Sequence, residues 1–176
     1  IDTHGEINPL DIVHSIEKWS LDNPKSKTIV GPSTRLAFDA IHAGVPVEEA
    51  GRQGETNGAG TRVAPVGAIV KSSDIETLCR KVQNVCMATH NTSTALSGAC
   101  AIAAAVAHGI EGGRLEDMVQ VVLGAAECGS HLGREVPSPL VSERIKYSLK
   151  LSGSIKDDLE FMKRQYELIG SGLPMV

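Results

Sequence analysis

The chain has 176 residues and a formal charge of −4, which provides no electrostatic footprint for nucleic acid, a partner that needs clustered Lys and Arg against phosphate. Apolar residues make up 41% of it but aromatic ones only 3%, so the core must be assembled from Ala, Val, Ile and Leu. Small side chains of that kind favour close packing of helix on helix.

Asn8 before Pro9 is an N-cap and first-turn proline, and Leu10, Val13, Ile16 and Trp19 then recur at helical spacing, which predicts a helix over 9–21. Gly31 and Pro32 open a second helix carrying Leu36, Ala40 and Ile41, and Gly44 with Pro46 closes it. Over 51–60 the apolar period disappears and four glycines appear, the signature of a loop placed for function. A short apolar stretch over 63–70 follows, broken by Pro65 and Gly67.

Ser73 and Glu76 read as a capping box for a helix striped by Ile75, Leu78, Cys79, Val82 and Cys86. An Ala-rich helix over 92–108, with Leu96, Ala99, Ile102, Ala103 and Val106 on one face and Gly109 at its end, is expected to be the most buried. Helices over 115–128, 139–151 (Ser138 capping, Pro139 in the first turn) and 155–169 complete the set. No segment alternates with period two over strand length. The expected fold is therefore all-α, a compact multi-helix domain over 1–176 with no sheet beyond isolated bridges.

Apolar runs such as 101–107 are short of the ~20 residues that cross a bilayer, and no leader-like series opens the chain, so no membrane partner and a cytoplasmic location are expected. Cys79, Cys86, Cys100 and Cys128 match no metal or redox spacing and read as buried reduced thiols. The start without Met and the close on Gly170-Ser171-Gly172-Leu173-Pro174 read as cuts in a longer protein.

The residues Gly54-Glu55-Thr56-Asn57-Gly58-Ala59-Gly60-Thr61-Arg62 are built like a phosphate cradle. Glycines let backbone amides approach an anion, and Arg62 is placed either to meet phosphate or to pin the loop. The pattern is neither a P-loop nor a dinucleotide fingerprint, and a plain flexible turn stays open as the other reading. His90, at the start of the Ala-rich helix, should be neutral because a helix N-terminus disfavours positive charge. His4, His14, His42, His108 and His131 lack ligand spacing, and no nucleophile elbow is present. The adjacent acids Glu48-Glu49, Glu116-Asp117 and Asp157-Asp158 diverge by about 100° on a helix and make no converging pair. Glu55 is the acid nearest the candidate site.

Taken in order, Gly31-Pro32-Ser33-Thr34-Arg35, the run from Thr56 through Arg62 to Val63-Ala64-Pro65, and Thr89-His90 resemble the ADP-ribosylglycohydrolase family. The residues 139–144 and Tyr166-Glu167-Leu168-Ile169-Gly170 resemble that family's later helices. The resemblance implies an all-α orthogonal assembly and a hydrolase that cleaves a glycosidic bond of ADP-ribose with two Mg2+ ions. It also implies that Asn57, Gly58, Ala59, Gly60 and Arg62 shape the diphosphate and ribose pocket, with His90 giving a hydrogen bond to an ADP-ribosyl substrate. Two departures stand out. Thr61 occupies a place where the family usually has a bulky apolar residue, and the family's two terminal acidic motifs, which carry its metal ligands, are missing from these residues. The expectation is an enzyme segment whose catalytic residues and metal ligands lie in flanking sequence. The alternative is a binding module for ADP-ribose or another nucleotide, and a helical scaffold without ligand is the third reading.

Overall fold

A computed structural model describes residues 6–169, so that His4 and the closing Gly-Ser-Gly segment lie outside the described residues. The chain is all-α. Among the described residues there is no strand, and pairing of extended backbone is limited to isolated bridges such as Thr92 with Arg134.

The first helix, α1 (Pro9–Asp22), starts where Asn8 accepts a hydrogen bond from the Leu10 amide at 3.0 Å, and its Val13 is buried. The short α2 (Ser26–Ile29) leads to α3 (Pro32–His42), which buries Thr34 and Ala37. Gly44 follows α3 with a φ of 88°, the left-handed conformation that a helix exit of this kind requires of its glycine. A single turn, α4 (Val47–Ala50), opens the glycine loop, which ends in a 3-10 turn (Gly60–Arg62) feeding α5 (Ala64–Ile69).

The helix α6 (Ile75–Cys86) buries Leu78, Cys79, Val82, Val85 and Cys86, the predicted stripe with Val85 added and Ile75 half-buried. Its cap is Asp74, whose carboxylate accepts from the Thr77 amide at 3.2 Å, and not Ser73. The carboxylate one position later reaches the first-turn amide, so the helix starts there.

The helix α7 (Ser93–Ile110) is the centre of the molecule, packed against α5, α6 and α8 (Leu115–Ser130). Small residues let these backbones approach: a Cβ added at Gly67 of α5 would stand 2.3 Å from the Ala103 carbonyl oxygen, and one at Gly129 of α8 would stand 2.8 Å from that of Leu96. Leu96, Ala99 and Ala103 are fully buried as expected, but Ile102 is 41% exposed. The apolar face is not the single stripe assumed, because helices cover α7 on several sides and leave Ile102 at a gap. The helix also runs past Gly109, and the left-handed exit glycine is Gly112 at φ 74°. Its 18 residues are apolar enough to cross a membrane by length and composition, a property accounted for by their place in the core.

Two further helices, α9 (Val141–Ser154) and α10 (Asp158–Ile169), pack on each other and extend from α8. Both begin later than expected. Ser138 does not cap α9; its hydroxyl pairs with that of Thr94 at 2.5 Å, and Leu140 takes the cap position. At α10, Asp157 accepts from the Glu160 amide at 2.8 Å and delays the start past Ile155.

Candidate functional site

The glycine loop is laid directly on the connection between α6 and α7. Asn91 donates its amide to the Gly51 carbonyl at 2.8 Å, and the Thr92 hydroxyl donates to the Gly54 carbonyl at 2.7 Å while accepting from the Ala95 amide as the cap of α7. The two backbones come so close that a Cβ at Gly51 would lie 2.0 Å from the Met87 oxygen, and one at Gly54 2.0 Å from the Thr89 oxygen. Glycine at both positions is a condition of the contact.

Above this seam a chain of side chains ties the loop to the Thr-His pair. Arg62 donates through Nε to the Gly58 carbonyl at 3.1 Å and through Nη1 to the Thr89 hydroxyl at 2.9 Å. Thr89 Oγ1 lies 2.8 Å from His90 Nδ1, and Thr56 Oγ1 lies 2.9 Å from His90 Nε2. Because the Thr89 oxygen already accepts from Arg62, its own proton is available to Nδ1, which leaves Nε2 to carry the ring proton and donate to Thr56. Thr61 adds a hydrogen bond from its hydroxyl to the Gly58 carbonyl at 2.9 Å, one that an apolar residue at this position would lack.

His90 is neutral, as expected at a helix start, but for a different main reason. Burial first, and then the positive charge of Arg62, lower its pKa from 6.5 to about 4. Burial likewise holds the Arg62 guanidinium below its ordinary value. Beneath the loop, Cys86 donates its thiol to the Ala59 carbonyl at 3.7 Å, and burial pushes that thiol up to about 12.

The six residues singled out in the sequence therefore stand in layers. His90, 1% exposed, and Ala59, fully buried, form the support; Gly58 covers the imidazole; Gly60 is half-buried and Asn57 faces solvent. The structure brings Gly58, Arg62 and His90 together, while the His90 ring is enclosed and both its nitrogens are engaged by threonines. Arg62 also lines an apolar groove of about 360 Å³ with Ile16, Trp19, Pro65 and Ile69. A second cleft, of about 480 Å³, lies by the start of α7 and is lined by Ser93, Thr94, Ser97, Gly133 and Ser138.

Sequence reasoning missed Arg134. It exchanges backbone hydrogen bonds with the 91–93 segment, donates Nε to the Arg52 carbonyl at 2.7 Å and pairs with Glu55 at 3.5 Å. The turn before it needs Gly133, at φ 69°, because a Cβ there would meet the Asn91 carbonyl at 2.7 Å. Thr56 and Thr89 lay inside the quoted motifs, but nothing local to either announces that the two hydroxyls grip one imidazole.

The residues present do not fit a magnesium pair. Hard cations need several converging oxygens, and among the described residues no group of three or more His, Cys, Asp or Glu is placed to hold a metal ion. Glu55, the acid of the loop, is turned to Arg134.

An all-helical chain whose glycine loop is buckled onto a Thr-His pair is the arrangement seen, and the ADP-ribosylglycohydrolase family model matches residues 1–174. The chain belongs to that family. It is 27% identical over 173 residues to the uncharacterized protein YegU of Escherichia coli K12, an alignment covering 98% of this chain and 52% of that one. It is 28% identical over 145 residues to an uncharacterized protein of Archaeoglobus fulgidus, covering 82% of this chain and 44% of the relative. The chain thus spans about half the length of the curated relatives it matches. No solved structure matches it.

Proposed function

We propose that the loop from Gly54 to Arg62 is the wall on which the diphosphate and ribose of an ADP-ribosyl substrate rest, in a hydrolase that cleaves a glycosidic bond of ADP-ribose. The observation that carries this reading is the double donation of Arg62 to the Gly58 carbonyl and the Thr89 hydroxyl. It holds the loop in one shape before any ligand arrives, and a loop ordered in advance costs less entropy on binding. Asn57 and Gly60 present its outer surface, and Ala59 and His90 hold it from below. In this reading His90 acts through Thr56, whose hydroxyl oxygen accepts the hydrogen bond from the ring Nε2–H and leaves its own O–H free to donate. This reading takes the magnesium pair and the acids that would hold it from sequence outside this segment.

Calorimetric titration of the whole protein with ADP-ribose, together with release of ADP-ribose from an ADP-ribosylated substrate in the presence of magnesium, tests the proposal. Binding and release are expected, both weakened by Arg62→Met. Failure to bind ADP-ribose overturns the reading, and binding without release leaves a recognition module in place of the hydrolase.

A further inference from the structure

Glu55 is the only acid between Gly54 and Arg62, the stretch proposed to carry a diphosphate, and it is an obstacle to that ligand. A carboxylate and a diphosphate repel, and salt damps the repulsion only beyond about 8–10 Å. The carboxylate is taken up by Arg134, whose Nη2 lies 3.5 Å from Oε1 with both side chains partly exposed. The other arginines of the loop are committed elsewhere. Arg52 Nη1 holds both oxygens of Glu49, at 2.9 and 2.7 Å, and Arg62 donates to the Gly58 carbonyl and the Thr89 hydroxyl.

An exposed ion pair ordinarily contributes little, because two mobile side chains must be ordered to form it. Arg134 is ordered without Glu55. Its Nε donates to the Arg52 carbonyl at 2.7 Å, its amide donates to the Asn91 carbonyl at 2.8 Å, and its carbonyl accepts from the Ser93 amide at 2.9 Å. The left-handed turn at Gly133 brings it there. The guanidinium therefore stands in place as a fixed charge, and the entropic cost of the pair falls on Glu55 alone.

We propose that Arg134 is a positioning residue of the glycine loop: it holds the Glu55 carboxylate and cancels its charge, so that the loop admits a dianionic diphosphate. The inference rests on the diphosphate reading of the loop. With the pair formed, Arg62 is left as the uncompensated charge of the stretch that starts at Gly54. With residue 134 neutral, Glu55 offsets Arg62 and the attraction for a dianion is lost. The brace on Arg52 uses Nε and the acid is met by Nη2, so brace and charge can be separated by substitution.

The test is calorimetric titration of the full-length protein with ADP-ribose at low and high salt, alongside Arg134→Gln, Glu55→Gln and the double variant. Glutamine at 134 keeps a donor for the Arg52 carbonyl and removes the charge. Arg134→Gln is expected to weaken binding by roughly three- to tenfold at low salt, the scale of repulsion between a carboxylate and a nearby dianion, and the deficit should shrink at high salt. The double variant should return to the parent's affinity. Glu55→Gln alone should gain less than Arg134→Gln loses, because Arg134 stays braced on Arg52. A double variant as weak as Arg134→Gln would overturn the proposal and make Arg134 a brace or a direct ligand contact. A gain in Glu55→Gln equal to the loss in Arg134→Gln would overturn it too, since the two charges would then act independently; this arm leaves residue 134 untouched and decides even if Arg134→Gln does not fold. A parent that binds ADP-ribose no differently from all three variants sinks this inference alone, whereas a parent that does not bind it sinks the diphosphate reading and the inference together.

Discussion

The backbone of Gly58 rests against the imidazole of His90, so closely that a Cβ on the glycine would stand 2.8 Å from both Cε1 and Nε2 of the ring. The φ of Gly58 is not left-handed, unlike those of Gly44, Gly112 and Gly133. The requirement for glycine is thus steric, set by a residue more than thirty positions away, and not conformational. Gly58→Ala is expected to destabilise the protein by about 1–3 kcal/mol, because the ring is buried and held by hydrogen bonds at both its nitrogens, so moving it breaks them. Gly31→Ala, where nothing lies within 4 Å of the added carbon, is the control and should leave the melting temperature nearly unchanged. Equal melting of the two variants would show that ring and loop yield freely.

His90 also makes stability depend on pH. Its folded pKa of about 4 lies below its value of 6.5 in the unfolded chain. Between these values the unfolded state binds a proton that the folded state refuses, so the contribution is fully present above pH 6.5, falls as pH drops and levels off below pH 4. The interval corresponds to roughly 3 kcal/mol, at about 1.4 kcal/mol per pH unit. Denaturant titrations of the parent and of His90→Gln at pH 7 and pH 4.5 should show the smaller acid loss in the variant. Parallel losses would move the acid sensitivity to other groups.

Arg62 is expected to act in two separable ways, as a charge and as a fork. Arg62→Met removes both, so the pKa of His90, read from the ring carbon shifts by NMR, should rise while staying below the ordinary histidine value, since burial is the larger cause. Arg62→Lys keeps the charge but cannot span the Gly58 carbonyl and the Thr89 hydroxyl at once. It should hold the His90 pKa low yet speed hydrogen exchange across the loop. A histidine pKa unmoved by the methionine substitution would count against the electrostatic half of this account.

The helices were readable from the chain where one strong local feature decides, as Asn8-Pro9 does for α1 and the stripe of Leu78, Cys79, Val82 and Cys86 does for α6. They were misread where two polar residues compete for a cap. Asp74 displaced Ser73 because its carboxylate reaches the free amide, and Ser138 was taken away by Thr94, a partner remote in sequence. The site divides in the same way. Its glycine loop and Thr-His pair are contiguous strings that a reader can recognise. The grip of Thr56 and Thr89 on one imidazole and the brace from Arg134 depend on how separate helices are stacked. No local pattern encodes that stacking.

Glycines inside helices give a last pair of opposed expectations. Replacing a helical glycine by alanine ordinarily stabilises by roughly 0.5–1 kcal/mol, because the unfolded chain loses freedom and the helix gains propensity. At Gly109, near the end of α7, nothing lies within 4 Å of the added Cβ, so Gly109→Ala should show this gain. At Gly67 the same carbon would lie 2.3 Å from the Ala103 oxygen and 2.8 Å from the Val106 Cβ, within the seam where α5 crosses α7. A backbone oxygen cannot rotate out of the way as a side chain can, so α5 must move off the core, at a cost of about 1–3 kcal/mol that outweighs the propensity gain. Gly67→Ala is therefore expected to melt below the parent and Gly109→Ala above it. If both melted higher, the helices at that seam would stand further apart than described, and the close packing of α7 would lose its support.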